Sequence, residues 1–373
     1  MSLTDLHVIS FDVPSPPDYG GVIDVYYKLK ALHEKGVRII LHCFEYGRKP
    51  NASLNSFCKD VFYYSRNTTK SLLFNTLPYI VLTRNSADLK RRLLEDEHPI
   101  LMEGIHSTFL LNDPAFEKRK IVVRTHNVEH DYYENLARVE KNIFKRYYFY
   151  NEAGKLLKYE VVLKKAAAIA AISPSDAQHF LTINKNVKSI SAFHPFTDVN
   201  IKKGSGDYAF YHGNLAVGEN NEAALFLVNK VYNDLPFKLE IAGSRPSDEL
   251  KTAVKLYPNI TLYDHLPPEQ IHQLIADAQC NVLPTFQSTG IKLKLLAALH
   301  AGRTCIVNTP MVANTGLESL CVIADDDVSF KKAITAVMTG QDFSMAEVEK
   351  RELILFEQFS VAKNAERLIS LFK

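Results

Sequence analysis

At 373 residues, 46% hydrophobic and 23% charged, the chain is too long for one ordinary core and has the composition of a soluble globular protein with two domains. No apolar run is long enough to read as a membrane span, and "MSLTDLHVISFDVP" lacks the basic and apolar pattern of a signal peptide. The net charge of +2 divides unevenly: residues 1–198 carry 27 Lys and Arg against 22 Asp and Glu, the rest 17 against 20. So mild an imbalance reads as solvated surface, and nucleic acid is not expected as a partner. The five cysteines, Cys43, Cys58, Cys280, Cys305 and Cys321, have neither paired nor metal-ligand spacing, which points to a reducing, cytoplasmic setting.

In chain order, the segments "LHVISFDV", "RIILHCFEY", "VFYYS", "PILMEGI", "KIVVRTHN", "AAAIAAIS" and "SISAFHPF" are predicted buried strands, with "GVIDVYYKLKALHEKG" as the first crossover helix. After the polar stretch "TDVNIKKGSGD", which reads as a linker, the alternation resumes with "YAFYHGN", "FKLEIAG", "ITLYDHL", "CNVLPTF", "TCIVNTP" and "CVIAD". Helices are expected between them, at "PPEQIHQLIADAQ", "TGIKLKLLAALHAG" and "SFKKAITAVM". This is the pattern of two doubly wound parallel sheets. A further stretch, "NIFKRYYFYNEAGKLLKYEVVLKK", is predicted to be one long amphipathic helix. Its apolar side is expected in the core and its basic side in water, with contact to an anionic membrane left open.

Ligands of doubly wound sheets bind beyond the carboxyl ends of the strands, which directs attention to four loops. In "PPDYGG", Gly20 and Gly21 would let the backbone approach a phosphate or sugar, or serve an ordinary turn. "RTHNVEHDYY" places His126, Asn127 and Glu129 just after an apolar strand, a density of hydrogen-bonding groups that structural loops seldom need. "YHGNLAVGENNEA" offers Gly213, Asn214 and Gly218 before a helix that Asn220 or Asn221 could cap. The fourth loop opens "TGIKLKLLAALHAG", which holds Lys292 and Lys294 near the positive end of an apolar helix. Cations there oppose the helix dipole unless an anion arrives. At about 100° per residue, Gly290, Lys294 and Ala297 share one side and Lys292 points away. Lys294 is therefore the candidate anion ligand.

These residues, in this order, together with "LEIAGSRP" and the run from Leu262 to Thr309, resemble the GT-B glycosyltransferases of the large retaining family four, of group 1 type. The resemblance implies two Rossmann-like domains facing a cleft. Residues 1–200 would bind the acceptor, 201–355 the nucleotide-sugar, and 356–373 would form a helix returning to the first domain. It further implies that Gly20 and Gly21 lie near the donor phosphates and acceptor. His126 would contact the transferred sugar, and Lys294 would meet the donor diphosphate and stabilise the departing nucleoside diphosphate, where charge develops. Gly213, Asn214, Arg245, Thr289, Gly290 and Ile291 are the other donor-binding candidates. Asn127, Glu129 and Glu103 are candidates for acceptor or sugar contact. No metal is expected, because Lys294 would serve at the phosphates and the sequence lacks a convincing Asp-x-Asp or His/carboxylate metal cluster, and the nucleotide-sugar is a substrate rather than a cofactor.

Two departures from the family pattern stand out. Thr289 and Ala297 occupy positions where relatives usually carry glutamates, the second of which holds the nucleotide ribose. No Lys or Arg follows the strand in "HGNLAVGENN", although Arg245 could substitute. The expected activity is sugar transfer from a nucleotide-sugar to a glycan or lipid-linked saccharide, with retention, at the inner face of a membrane or in the cytoplasm. The alternative is a non-catalytic binding or scaffold subunit. A nucleotide-sugar epimerase would need acid–base carboxylates, for which only Glu103 and Glu129 are available.

Overall fold

The structure is a computed structural model that describes residues 4–140, 142–286, 293–313, 315–340 and 343–373. The chain forms two compact units, one of residues 1–195 and 359–373, the other of 196–358.

The first unit contains a seven-stranded parallel sheet of β1 (Asp5–Ser10), β2 (Arg38–Glu45), β3 (Asp60–Ser65), β4 (Ile100–Glu103), β5 (Ile121–Thr125), β6 (Ala168–Ala171) and β7 (Val187–Ser189), in the order β3-β2-β1-β4-β5-β6-β7. Its helices are α1 (Gly20–Glu34), α2 (Tyr79–Leu82), α3 (Ala87–Leu93), α4 (Glu129–Val139), α5 (Ile143–Tyr159) and α6 (Pro174–Phe180). The central strands are buried on both faces, which is why they are largely apolar, with His7, Glu103 and Arg124 as buried polar exceptions. One core packs Ile9, Met102 and Val123 against Leu156 and Phe180. The other packs Leu6, Val8 and Leu101 against Leu29 of α1 and Leu368 of the C-terminal helix.

The second unit holds a six-stranded parallel sheet of β8 (Tyr208–His212), β9 (Lys238–Gly243), β10 (Ile260–Asp264), β11 (Cys280–Leu283), β12 (Thr304–Val307) and β13 (Val322–Ile323), in the order β10-β9-β8-β11-β12-β13. Helices α7 (Gly218–Phe226), α8 (Asp248–Val254), α9 (Pro268–Asp277), α10 (Leu293–Ala301), α11 (Thr309–Val312), α12 (Asp327–Met338) and α13 (Met345–Phe359) accompany it. The chain ends in α14 (Val361–Ser370), whose Ala365 and Leu368 are buried in the first unit. Both sheets have doubly wound order, so the fold is α/β with two Rossmann-like parallel sheets.

Three sequence expectations need correction. The segment "SISAFHPF" is not a strand beyond Ser189, although Ile190 and Phe193 are fully buried. The Ile190 amide still donates to the Ala171 carbonyl of β6, but from there side chains take over the backbone: Arg124 donates to the carbonyls of Ile190 and Ser191, and the Phe193 amide donates to Asp24. The stretch 197–207 is not a loose linker. Lys202 pairs with Asp277, the Gly206 amide donates to Gln279 at 2.7 Å, and Arg303 donates to the carbonyls of Lys203 and Gly204. The units divide at Pro195–Phe196, before that stretch, because Phe196 stacks on His300. Finally, α5 buries only Glu152, Ala153, Leu156 and Tyr159, while Ile143, Phe144, Tyr147, Tyr150 and Leu157 are exposed. Much of the apolar surface expected in the core is therefore in water.

Candidate functional site

In the first unit the strand order reverses between β1 and β4, the position where doubly wound sheets open a crevice. Helix α1 begins there at Gly20, and a side chain at Gly21 would press on the Phe11 ring at 3.0 Å. One turn further, Asp24 and Lys28 point inward, four residues apart on one helix face. Lys28 Nζ donates to Asp24 at 2.7 Å and to Glu103, the last residue of β4, at 2.9 Å. Arg124 on β5 donates to Asp24 at 3.0 Å, and all four side chains are essentially inaccessible to water.

His126, just past β5, completes the group: its Nε2 is 3.0 Å from Glu103 Oε2 and its Nδ1 is 3.8 Å from Asp24. The ring meets Phe11 edge-on, and Phe11 also contacts His106, so Gly21, Phe11 and His126 form one wall. Burial works against charge on Asp24 and Glu103. Neighbouring groups outweigh it, the Arg124 and Lys28 cations for Asp24, the Lys28 cation and a hydrogen bond from His126 for Glu103, and both carboxyls are held below the usual range. Two cations and two carboxylates balance without His126, which leaves its ring oriented by them.

Two of the acceptor or sugar candidates are buried. Glu103, expected to touch acceptor or sugar, is fully buried behind His126 because its charge is held by Lys28. Glu129 is also buried, with Asn127 as its hydrogen-bond partner. Burial first, then the neighbouring Asp176, raises its carboxyl to about 7.

The second unit repeats the arrangement. Its strand order reverses between β8 and β11, and the loops leaving these strands carry Gly213, Asn214 and, at the start of α10, Lys294. Gly213 and Gly243 lie so close that a side chain on Gly243 would overlap the Gly213 carbonyl. Lys294 Nζ lies 5.3 Å above the Tyr211 ring and donates to Asn220 Oδ1 at 2.9 Å. Asn220 in turn donates to the Asn214 carbonyl at 3.0 Å, and Ser244 to the Asn214 side chain at 3.1 Å. The structure thus brings Gly213, Asn214 and Lys294 together. Burial, aided by Lys294, pushes the His212 imidazole beside them down to about 3.

Asn220 is the residue that sequence reasoning misjudged. Helix α7 starts after Val217 without a side-chain cap, and the Asn220 amide is free to bridge the loop and the lysine. Two adjacent asparagines on a helix were the available signal. Arg245 is exposed in a left-handed conformation at φ 53, its amide bonded to Asp264. Ala297 is 7% exposed. Thr289, Gly290, Ile291 and Lys292 lie outside the described residues.

Two Rossmann-like parallel sheets, each with polar candidates at its switch point, define a protein of the GT-B fold. Residues 206–340 match the model of the family described as Glycosyl transferases group 1. A Klebsiella pneumoniae protein, described as an uncharacterized 44.6 kDa protein in the cps region, is 27% identical over 361 residues, covering 88% of this chain and 89% of its own. Among solved structures, the apo lipopolysaccharide outer core galactosyltransferase WaaB aligns with a TM-score of 0.67 at 13% identity, over 99% of this chain and 100% of its own. TarM aligns with a TM-score of 0.69 at 10% identity, over 100% and 99%. A glycosyltransferase from Rickettsia africae aligns at 0.64 and 13% identity, over 100% and 98%.

Proposed function

We propose that the protein transfers a sugar, with retention, from a nucleoside-diphosphate sugar bound by the second unit to a glycan or lipid-linked saccharide, without a divalent metal at the phosphates. The observation that carries this reading is Lys294, gathered with Asn220, Asn214 and Gly213 at the β8/β11 switch point of the unit that matches the group 1 family. A cation and unhindered backbone at that place suit a diphosphate, and Lys294 would stabilise it as it leaves. His126, oriented by Glu103 and Asp24, is the proposed contact to the transferred sugar. The relative from a cps region fits an acceptor of the polysaccharide class. A thermal-shift panel of nucleoside diphosphates, followed by donor hydrolysis and transfer assays, tests the reading: stabilisation by one diphosphate and release of sugar from its donor support it.

A second reading, a non-catalytic binding subunit, is favoured by the buried methyl of Ala297 where relatives place a ribose-binding carboxylate. Absence of both nucleotide stabilisation and donor hydrolysis would establish it.

Peripheral contact with an anionic membrane belongs to the same proposal. The first half of α5 exposes Ile143, Phe144, Tyr147 and Tyr150 alongside Lys145 and Arg146, a pairing of apolar and basic groups suited to the lipid interface. Sedimentation with vesicles containing anionic lipid should fail for Phe144→Ser/Tyr147→Ser.

A further inference from the structure

Beyond the carboxyl ends of β5 and β6, three segments distant in sequence converge. His130 lies on the first turn of α4, Glu160 follows the last residue of α5, and His179 is on α6. Glu160 is approached from two sides: His179 Nε2 is 2.7 Å from its Oε2, and His130 Nδ1 is 3.6 Å from its Oε1. One ligand atom from each residue lies within 4.8 Å of those of the other two. In a tetrahedral shell with bonds of about 2.0–2.2 Å to nitrogen and oxygen, neighbouring ligand atoms stand about 3.4 Å apart. Ligation would require side-chain rotations that close the difference.

Two further features point to a cation. His130 is 9% exposed and its Nδ1 faces Glu160 at 3.6 Å, longer than an ordinary hydrogen bond; the Oδ2 of buried Asp176 has no hydrogen-bond partner. Among the described residues, the ion-pair partners of Glu160 are His130 and His179, with no Lys or Arg between them. The other His/carboxylate group, Asp24, Glu103 and His126, differs because Lys28 and Arg124 already balance its charge. The second nitrogen of His130, Nε2, faces Asp131 Oδ1 at 3.4 Å, the arrangement in which a carboxylate orients a ligating imidazole.

We propose that His130, Glu160 and His179 bind a divalent transition metal of the zinc class, with Asp131 holding the His130 ring so that Nδ1 faces the ion. Two imidazoles and one carboxylate suit zinc better than magnesium or calcium, which take oxygen ligands. The His179 side chain is 31% exposed, which provides a route for the ion and for the water that completes the shell. Bound there, the ion ties together α4, the turn after α5, and α6.

The test uses the full-length protein, stripped with chelator and dialysed, then titrated with Zn²⁺ by calorimetry and with Co²⁺ by visible absorption. One zinc per chain at micromolar affinity or tighter, a rise in Tm with zinc, and the absorption of a low-symmetry four- or five-coordinate cobalt complex are expected. His179→Gln should weaken zinc binding at least tenfold and abolish the Tm rise. Asp131→Asn, an exposed change that should leave folding intact, should weaken binding about 10-fold or more. Zinc bound equally by wild type and His179→Gln, loss of binding in His126→Gln, or failure of the wild type to retain zinc at micromolar concentration would overturn the assignment.

Discussion

His126 Nε2 stands 3.0 Å from Glu103 Oε2, and Lys28 Nζ holds the same carboxylate oxygen at 2.9 Å. The candidate sugar-contacting residue is thereby coupled to a buried ion pair between α1 and the end of β4. Removing the cation in Lys28→Met leaves the buried carboxylates of Asp24 and Glu103 facing each other without the lysine that bridges them and should destabilise the protein by about 3–5 kcal/mol, as measured by urea unfolding. The carboxyls of Asp24 and Glu103 are depressed in the folded state, so their contribution is present above about pH 4 and lost as the pH falls through their folded values. Acid unfolding of wild type should therefore take up protons. A Lys28→Met protein as stable as wild type would contradict the network.

A second pH dependence comes from His42, buried in the sheet between His7 Nδ1 and the Tyr64 hydroxyl, each 2.8 Å from one of its nitrogens. Burial, reinforced by His7, pushes its imidazole down to about 3. The unfolded chain protonates this ring near pH 6.5, so stability is full above that pH and declines below it, by about 1.4 kcal/mol per pH unit from this group. Between pH 7 and pH 5 the loss should be about 2 kcal/mol. His42→Gln should lower the slope by about 1.4 kcal/mol per pH unit, the buried His212 and His106 supplying what remains, whereas an unchanged slope would show that His42 does not contribute.

For Lys294, replacement by alanine removes the cation beside Asn220 and should weaken diphosphate binding by about 1.5–3 kcal/mol, the range of a charge-assisted hydrogen bond. Lys292→Ala should cost less. Titration calorimetry with the preferred nucleoside diphosphate separates the two, and equal losses would refute the assignment of Lys294.

At Ala297 the structure sets a different expectation from the family pattern. Because this methyl is 7% exposed, Ala297→Glu buries a carboxylate and should destabilise the protein by about 2 kcal/mol or more, with no gain in nucleotide affinity. A stable variant that binds nucleotide about ten-fold tighter would instead reveal an open ribose slot.

Glycines offer a paired test of packing. A side chain at Gly243 would collide with the Gly213 backbone and with Leu215, so Gly243→Ala should cost about 1–3 kcal/mol and disturb the loop that carries Asn214. Gly154, inside α5 with nothing near its missing side chain, should accept alanine with a gain of about 0.5–1 kcal/mol. Thermal unfolding of the two variants should move in opposite directions.

Local patterns in the chain determined the elements and the places where chemistry could occur. Apolar runs between helical stretches dictated two parallel sheets, since a strand buried on both faces is largely apolar. The position of His126 after β5, and of Gly213 and Asn214 after β8, put them at strand carboxyl ends, where ligands of such sheets bind. Tertiary structure decided which side chains meet. Lys28 and Glu103 are 75 residues apart, Lys294 and Asn220 are 74 apart, and no periodicity links either pair. The same is true of His130, Glu160 and His179, and of Arg124 and Asn364, whose bonds to Ser191 keep a buried apolar segment out of the sheet. Hydrophobic periodicity is set by burial of neighbouring residues. Charge pairing is set by which loops the finished sheets bring together, and a buried ion pair leaves no mark on the residues beside it in the chain.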